Sequence, residues 1–179
     1  LQGDKVGSRD AMESTVRKAL RAAKLLSNEV FEEMQVVGRA QNAAEAELAD
    51  VRENQERIAK GKPPLDGPTA ALKRVLANAG VDATPVCDLV RVDDPDWQPA
   101  IESYLAASNM QALLVDESDE RKAFRVSRQA GVYDAKVVMP SKFAHRGSPR
   151  RGTVAELING NSTAAVNYLR AKFGDTQRA

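Results

Sequence analysis

The chain has 179 residues, of which 42% are hydrophobic but only 4% aromatic, and its formal net charge is +1. Because aromatic side chains are the bulkiest core fillers, this composition argues against one large globular core. A net charge near zero excludes a uniformly basic protein that binds polyanions over its whole surface. Any basic surface must therefore be local.

The chain contains a single cysteine, Cys87, and a single histidine, His145. One cysteine excludes an internal disulfide framework and a cysteine-based metal cluster. One histidine removes most catalytic-triad and histidine–metal schemes. No run of about 18 apolar residues and no signal-peptide pattern is present, so neither a membrane span nor secretion is predicted. A reducing, cytoplasmic location is expected.

Residues 1–9 are predicted to be a flexible lead-in and residues 10–60 a single long helix. The 10–60 segment lacks proline, contains Gly38 as its only glycine, and is rich in the strong helix formers Ala, Glu, Arg and Leu. We define a heptad seam as the positions spaced alternately by four and three residues. These positions are Val16, Leu20, Ala23, Ser27, Val30, Met34, Val37, Gln41, Ala44, Leu48, Val51, Gln55 and Ile58.

Only Ser27, Gln41 and Gln55 are polar in this seam, and charged residues flank it. A narrow apolar seam with charged flanks is typical of a coiled coil, in which the polar positions weaken the seam or set its register. The predicted arm would be roughly 75 Å long, too long for a small domain to bury. A helix packed in a bundle is the alternative interpretation.

Residues 61–80 are predicted to be a junction followed by a short helix. The arm ends at Gly61, because a glycine cap and the prolines Pro63 and Pro64 cannot continue the helix. Thr69 is predicted to cap the short helix, and Gly80 to end it.

Residues 81–179 are predicted to form a small α/β domain. The predicted strands are 86–92, 111–116 and 135–140, and the predicted helices are 97–106, 120–130, 153–158 and 164–173. This alternation indicates a sheet with some parallel pairing. A domain of about 100 residues buries only a marginal core, so oligomerisation would help it.

Charge is segregated within this domain. Residues 82–120 are acidic, with Arg91 as the only base, whereas residues 121–151 are basic, with Asp134 as the only acid. Two interpretations remain open: a solvated or internally paired basic surface, and salt-sensitive contact with nucleic-acid phosphates without base reading. The DNA-contact candidates are Arg121, Arg125, Arg128, Lys142, Arg146, Arg150 and Arg151.

No catalytic motif is found. The segment 147–152 has the glycine spacing of a phosphate loop but lacks the Lys-Ser/Thr that must follow. His145 has no carboxylate nearby in sequence, and Cys87 is expected to be a small buried hydrophobe. No cofactor or metal is expected, although an enzyme with a small nucleotide or phosphate site is kept as an alternative.

Several stretches together resemble the hinge of SMC-like ATPases, and most closely the ATPase subunit of Wadjet systems (JetC), a relative of MukB and MksB. These stretches are 61–65, 86–92, 97–105, 112–115, 154–158 and 165–174. The resemblance implies a non-catalytic hinge and coiled-coil arm, whose parent is an ATPase acting on DNA in bacterial defence against plasmids. A chromosome-organising hinge of the MukB/MksB type is the alternative.

The resemblance also implies partners. A homodimer through the hinge is expected, together with kleisin-type and accessory subunits bound to the parent protein and a location on the bacterial nucleoid. A second arm helix is expected to pair with the first. The dimer-interface candidates are Val137, Val138, Leu157, Tyr168 and Leu169.

Overall fold

The computed structural model describes residues 3–145, 147–174 and 176–177, with side chains from Met12 onward. The chain is a mixed α/β protein in which a long N-terminal helix is followed by a small α/β region. The chain divides into two compact units, and the boundary between them along the sequence lies between Val51 and Arg52. No helix in the described part of the chain is long and apolar enough to cross a membrane.

Helix α1, Gly3–Ala59, supplies the whole described part of the first unit. The helix begins at Gly3, so the prediction of a flexible lead-in over 1–9 is wrong from that residue on. Proline, which would end a helix, is absent from this stretch. The prediction of one unbroken helix through the heptad seam is confirmed.

The apolar seam side chains of the first unit are uncovered within the described chain. Their exposed fractions run from 50% at Leu48 to 68% at Met34. Leu26 and Phe31, which lie beside the seam, are also exposed. A helix with this much apolar surface in water gains stability when a partner covers it.

The second unit begins at Arg52, earlier than the predicted junction at 61, because the end of α1 contacts the α/β region. The side chain of Asn54 donates to the Leu65 carbonyl at 3.1 Å and accepts from the Leu65 N–H at 2.8 Å. Gly61, with a φ of +70°, ends the helix in the left-handed conformation that the sequence predicted.

Helix α2, Gly67–Asn78, follows the junction. Its N-cap is Asp66, whose Oδ1 accepts from the Thr69 N–H at 2.8 Å. The prediction of Thr69 as the cap is therefore wrong, because the helix begins three residues earlier, with Pro68 in its first turn, and buries Thr69. Gly80 follows it with a φ of +67°.

In the part of the chain that the structure describes, five short strands form two sheets. They are β1 (Ala83–Pro85), β2 (Val90–Val92), β3 (Leu113–Val115), β4 (Val137–Val138) and β5 (Ile158–Gly160). The first sheet has the order β1-β3-β4, with β1 antiparallel and β4 parallel to β3. Strands β2 and β5 pair antiparallel as the second sheet. Some parallel pairing is thus confirmed, and among the described strands it is limited to the pair β3 and β4.

The prediction of one strand over 86–92 is wrong. A 3-10 turn, Val86–Asp88, separates β1 from β2, and the two strands belong to different sheets. The Val86 N–H bonds to the Ala112 carbonyl, and the Leu89 N–H bonds back to Val86, so the chain turns here. Local β propensity cannot show where a strand leaves one sheet for another.

The described part of the unit contains four more helices: α3 (Gln98–Leu105), α4 (Ala107–Met110), α5 (Glu120–Ala130) and α6 (Thr163–Phe173). The predicted bounds of α5 are confirmed, and α6 is capped by Ser162, whose Oγ accepts from the Ala165 N–H. The predicted helix over 153–158 is instead a 3-10 turn, Val154–Leu157, followed by β5. The Thr153 hydroxyl donates to the Arg150 carbonyl and does not cap a helix.

The core consists of two clusters. The smaller is formed by Leu72, Leu76, Val81, Leu113, Val115 and Ala123, from α2, β3, α5 and the segment after α2. The larger joins α3, β4, β5 and α6, and four dimer-interface candidates belong to it: Val138, Leu157, Tyr168 and Leu169. Their own chain buries these four side chains in its core. Val137 is half-buried on β4, an edge strand.

Candidate junction site and basic face

A buried ion pair lies at the junction where α1 ends. Arg57 reaches back from the last turn of α1 to Asp88, in the turn between β1 and β2. The guanidinium Nη1 and Nη2 atoms donate to the two carboxylate oxygens of Asp88 at 2.8 and 2.9 Å. Both side chains are buried, with exposed fractions of 8% and 7%. This two-point ion pair fixes the end of α1 against the α/β region.

Neighbouring groups satisfy the remaining hydrogen-bonding atoms of the pair. The Arg57 Nε donates to the Pro63 carbonyl at 2.9 Å. Lys62 donates to Asp88 Oδ2 at 3.1 Å from a more exposed position. The Asp88 carboxylate thus binds both the end of α1 and the Gly-Lys-Pro-Pro turn. A buried charge needs such partners to offset its loss of hydration.

The protonation of this site follows from its contacts. Burial raises the pKa of the Asp88 carboxyl, but the hydrogen bonds from Arg57 and Lys62 outweigh burial and hold the pKa below its usual value. Burial also raises the pKa of the Cys87 thiol, to about 11, with a further contribution from Asp88. Cys87 therefore stays protonated at neutral pH, and the site offers no thiolate nucleophile.

A groove of about 820 Å³ lies beside the junction within the second unit. Ile101, Leu105 and Leu169 contribute to its walls, and Ile58 is exposed at its rim. Its polar groups bond to protein atoms: Gln98 donates to Glu102, and Gln111 donates to the Pro64 carbonyl. The groove is therefore lined by apolar and polar side chains together.

The basic segment 121–151 is divided among several elements. Arg121, Arg125 and Arg128 are exposed on one face of α5, where we refer to them as the basic face. No carboxylate of the described residues pairs with any of the three. The prediction that they share a helical face is confirmed.

The other candidates lie on different elements. Lys142 is exposed in a 3-10 turn, Pro140–Lys142, that is fastened to the start of α5 because Glu120 accepts hydrogen bonds from the Ser141 N–H and hydroxyl. Arg150 and Arg151 are exposed in the loop before the Val154–Leu157 turn, which packs against α6. Arg146 lies outside the described residues. His145 is exposed, and within the described chain no group of three His, Cys, Asp or Glu could hold a metal ion.

Sequence reasoning missed three residues that the structure makes prominent. From the sequence, Arg57 is only one of the charged residues that flank the heptad seam, and Asp88 is only one of the acids in residues 82–120. Phe124 was not considered as an exposed ring on α5. Helical spacing alone could have placed Phe124 beside the arginines, whereas the pairing of Arg57 with Asp88 depends on contacts distant in sequence.

Comparison with protein-family models, with curated proteins and with solved structures gave no match.

Proposed function

We propose that the chain is the arm and hinge segment of an SMC-like ATPase that acts on DNA, and that it has no catalytic activity of its own. The observation that carries the proposal is the heptad seam, which continues along α1 with its apolar side chains exposed. A seam of this kind needs a second helix, and coiled coils supply one. The Arg57–Asp88 pair supports the proposal because it joins the last turn of α1 to the α/β region, where an arm would lead into its hinge domain.

The α/β region would serve as the dimerising hinge. Its first sheet ends at the edge strand β4, where Val137 remains half-buried, the only interface candidate not enclosed by its own chain among the five. Open strand edges accept pairing from another chain. Kleisin-type and accessory subunits, a nucleoid location and a role in plasmid defence belong to the same proposal, with chromosome organisation as the alternative role.

The seam provides the direct test. Val37 lies in the seam and its neighbour Val36 does not, yet their exposed fractions are similar, 64% and 58%. We expect Val37→Lys to weaken self-association of the whole chain at least about tenfold, because a charged side chain would enter the apolar seam. Val36→Lys should leave association unchanged. Sedimentation equilibrium measures both.

A strictly monomeric wild-type chain at tens of micromolar would contradict the proposal. So would equal weakening by the two lysine variants, which would show that general apolar exposure and not the seam drives association.

A second function, binding of nucleic-acid phosphates, is favoured by the basic face of α5. Three exposed arginines without a carboxylate partner in the described chain are a local concentration of positive charge on a protein of net charge +1. Such a face attracts a phosphate backbone without reading its sequence.

Replacing Arg121, Arg125 and Arg128 with glutamine should weaken binding of a DNA duplex and flatten its salt dependence. Each lost phosphate contact lowers the slope of log K against log salt by about 0.9. Arg91→Gln is the matched control, because Arg91 is exposed on the other sheet and pairs with Asp93. Fluorescence anisotropy across a salt series measures the slope, and an unchanged slope in the triple variant would remove this function.

A further inference from the structure

The face of α5 that carries the arginines also carries an aromatic ring. At 100° per residue, Arg121, Phe124, Arg125 and Arg128 span an arc of about 100° on the helix. Phe124 is 44% exposed and belongs to neither core cluster. The guanidinium carbon of Arg128 lies 5.6 Å from the centre of its ring. Folding of the second unit therefore does not account for this ring.

The opposite side of α5 is anchored. Ala123 is fully buried and Val126 packs against the same cluster, which contains Leu72 and Leu76 of α2. The exposed ring and the arginines thus stand on a helix that the core holds in place. A rigid surface loses little conformational entropy when it binds a ligand.

The basic segment contains two further aromatic residues, Phe143 and Tyr133, and the ring of Phe143 is not available for stacking. Phe143 is half-buried and contacts Tyr168 edge to face, with ring centres 5.3 Å apart. The ring of Phe143 is therefore used for packing, whereas the ring of Phe124 is exposed to solvent. Tyr133, which follows the Gly131 cap of α5, is exposed as well.

We propose that this face binds single-stranded nucleic acid in preference to duplex, with a base stacked on Phe124 and phosphates held by Arg121, Arg125 and Arg128. The inference rests on the second proposed function and specifies its ligand. Bases in a duplex are stacked on one another and cannot offer a face to a surface ring, whereas an unpaired base can. An acidic protein partner would need the arginines but not an exposed ring between them.

The test compares a labelled oligothymidylate, a duplex of equal length and a polyglutamate peptide by fluorescence anisotropy. The wild-type chain should bind the single strand most tightly. Phe124→Leu keeps an apolar side chain but removes the ring, and it should weaken single-strand binding about 5- to 150-fold, the range for loss of one stacked base. Duplex binding should change less than about twofold.

Tyr104→Leu is the matched control, because Tyr104 is an exposed aromatic residue, 64%, that lies on α3 and stacks on Phe173. It should leave binding of all three probes unchanged. Circular dichroism of each variant confirms that the fold is retained.

Two results would overturn the inference. Equal single-strand affinity of wild type and Phe124→Leu would show that the ring takes no part. Polyglutamate binding as tight as that of the single strand would show a general anion surface. If Phe124→Leu has no effect but the triple arginine variant still loses duplex binding, phosphate binding stands and only the single-strand preference fails.

Discussion

Gly160→Ala should lower the free energy of unfolding of the α/β unit by about 3 kcal/mol, the upper part of the usual range for overpacking. Gly160 lies opposite Val90 in the pairing of β5 with β2. A Cβ at this position would lie 2.1 Å from the Leu89 carbonyl oxygen and 2.8 Å from the Val90 Cα. Both neighbours are backbone atoms, so relief requires the strands to separate.

The consequence would spread beyond one residue pair. The Asn161 N–H bonds to the Leu89 carbonyl, and Ile158 on β5 is fully buried in the larger core cluster. Moving β5 away from β2 therefore disturbs both the hydrogen bonds between the strands and the packing of Ile158 in the core. Urea unfolding followed by circular dichroism measures the loss.

Gly67→Ala is the matched control, since nothing lies within 4 Å of a Cβ at Gly67 and it stands in the first turn of α2. Its effect should stay below about 1 kcal/mol. Equal stability of Gly160→Ala and wild type would show that the close approach of the two strands is not a feature of the folded protein.

Arg57→Met should destabilise the second unit by about 3–5 kcal/mol, because it leaves the buried Asp88 carboxylate without its two-point partner. Lys62 retains one hydrogen bond to Asp88 but is itself half exposed, so it cannot replace the guanidinium. The Pro63 carbonyl also loses its donor. Denaturant unfolding of the whole chain, followed by circular dichroism, measures the change.

Two comparisons isolate the pair. The double variant Arg57→Met with Asp88→Leu should recover much of the loss, because it removes both buried charges. Arg17→Met breaks an exposed pair with Glu13 in the first unit and should cost at most about 0.5 kcal/mol. If Arg57→Met lowers the free energy of unfolding no more than Arg17→Met does, the Arg57–Asp88 pair does not stabilise the second unit.

The same pair determines part of the response to acid. Because the folded-state pKa of Asp88 is below its unfolded value of about 3.9, its contribution is complete above that pH and disappears as the pH falls through the folded-state value. Wild-type stability should therefore decrease on acidification below about pH 4. Arg57→Met should show a smaller decrease, since removal of the guanidinium lets burial raise the Asp88 pKa.

The coarse organisation of the chain could be predicted from local patterns. The heptad spacing from Val16 onward predicts one long helix, since helix periodicity is a property of neighbouring residues. Likewise, the terminal glycines Gly61 and Gly80 are local signals that the structure confirms. The SMC-like function inferred from resemblance stays a proposal.

The errors share a physical cause. Residues 86–92 are rich in strand formers, but Val86–Asp88 forms a 3-10 turn that bonds to Ala112, and only Val90–Val92 pairs with β5. Residues 153–158 have a helix-like start, yet pairing with β2 draws Ile158–Gly160 into a strand. Likewise, an apolar pattern cannot separate a subunit interface from a core, and Tyr168 and Leu169 lie in the larger core cluster.

By itself, the sequence determined the long helix, its apolar seam, the helix ends and the concentration of arginines on α5, because each follows from spacings of a few residues. Only the tertiary structure decided that Arg57 pairs with Asp88 and that Gly160 must lack a side chain. It alone also showed that Phe143 is packed away while Phe124 faces solvent. Those facts depend on contacts between residues far apart in the chain, which no local pattern encodes.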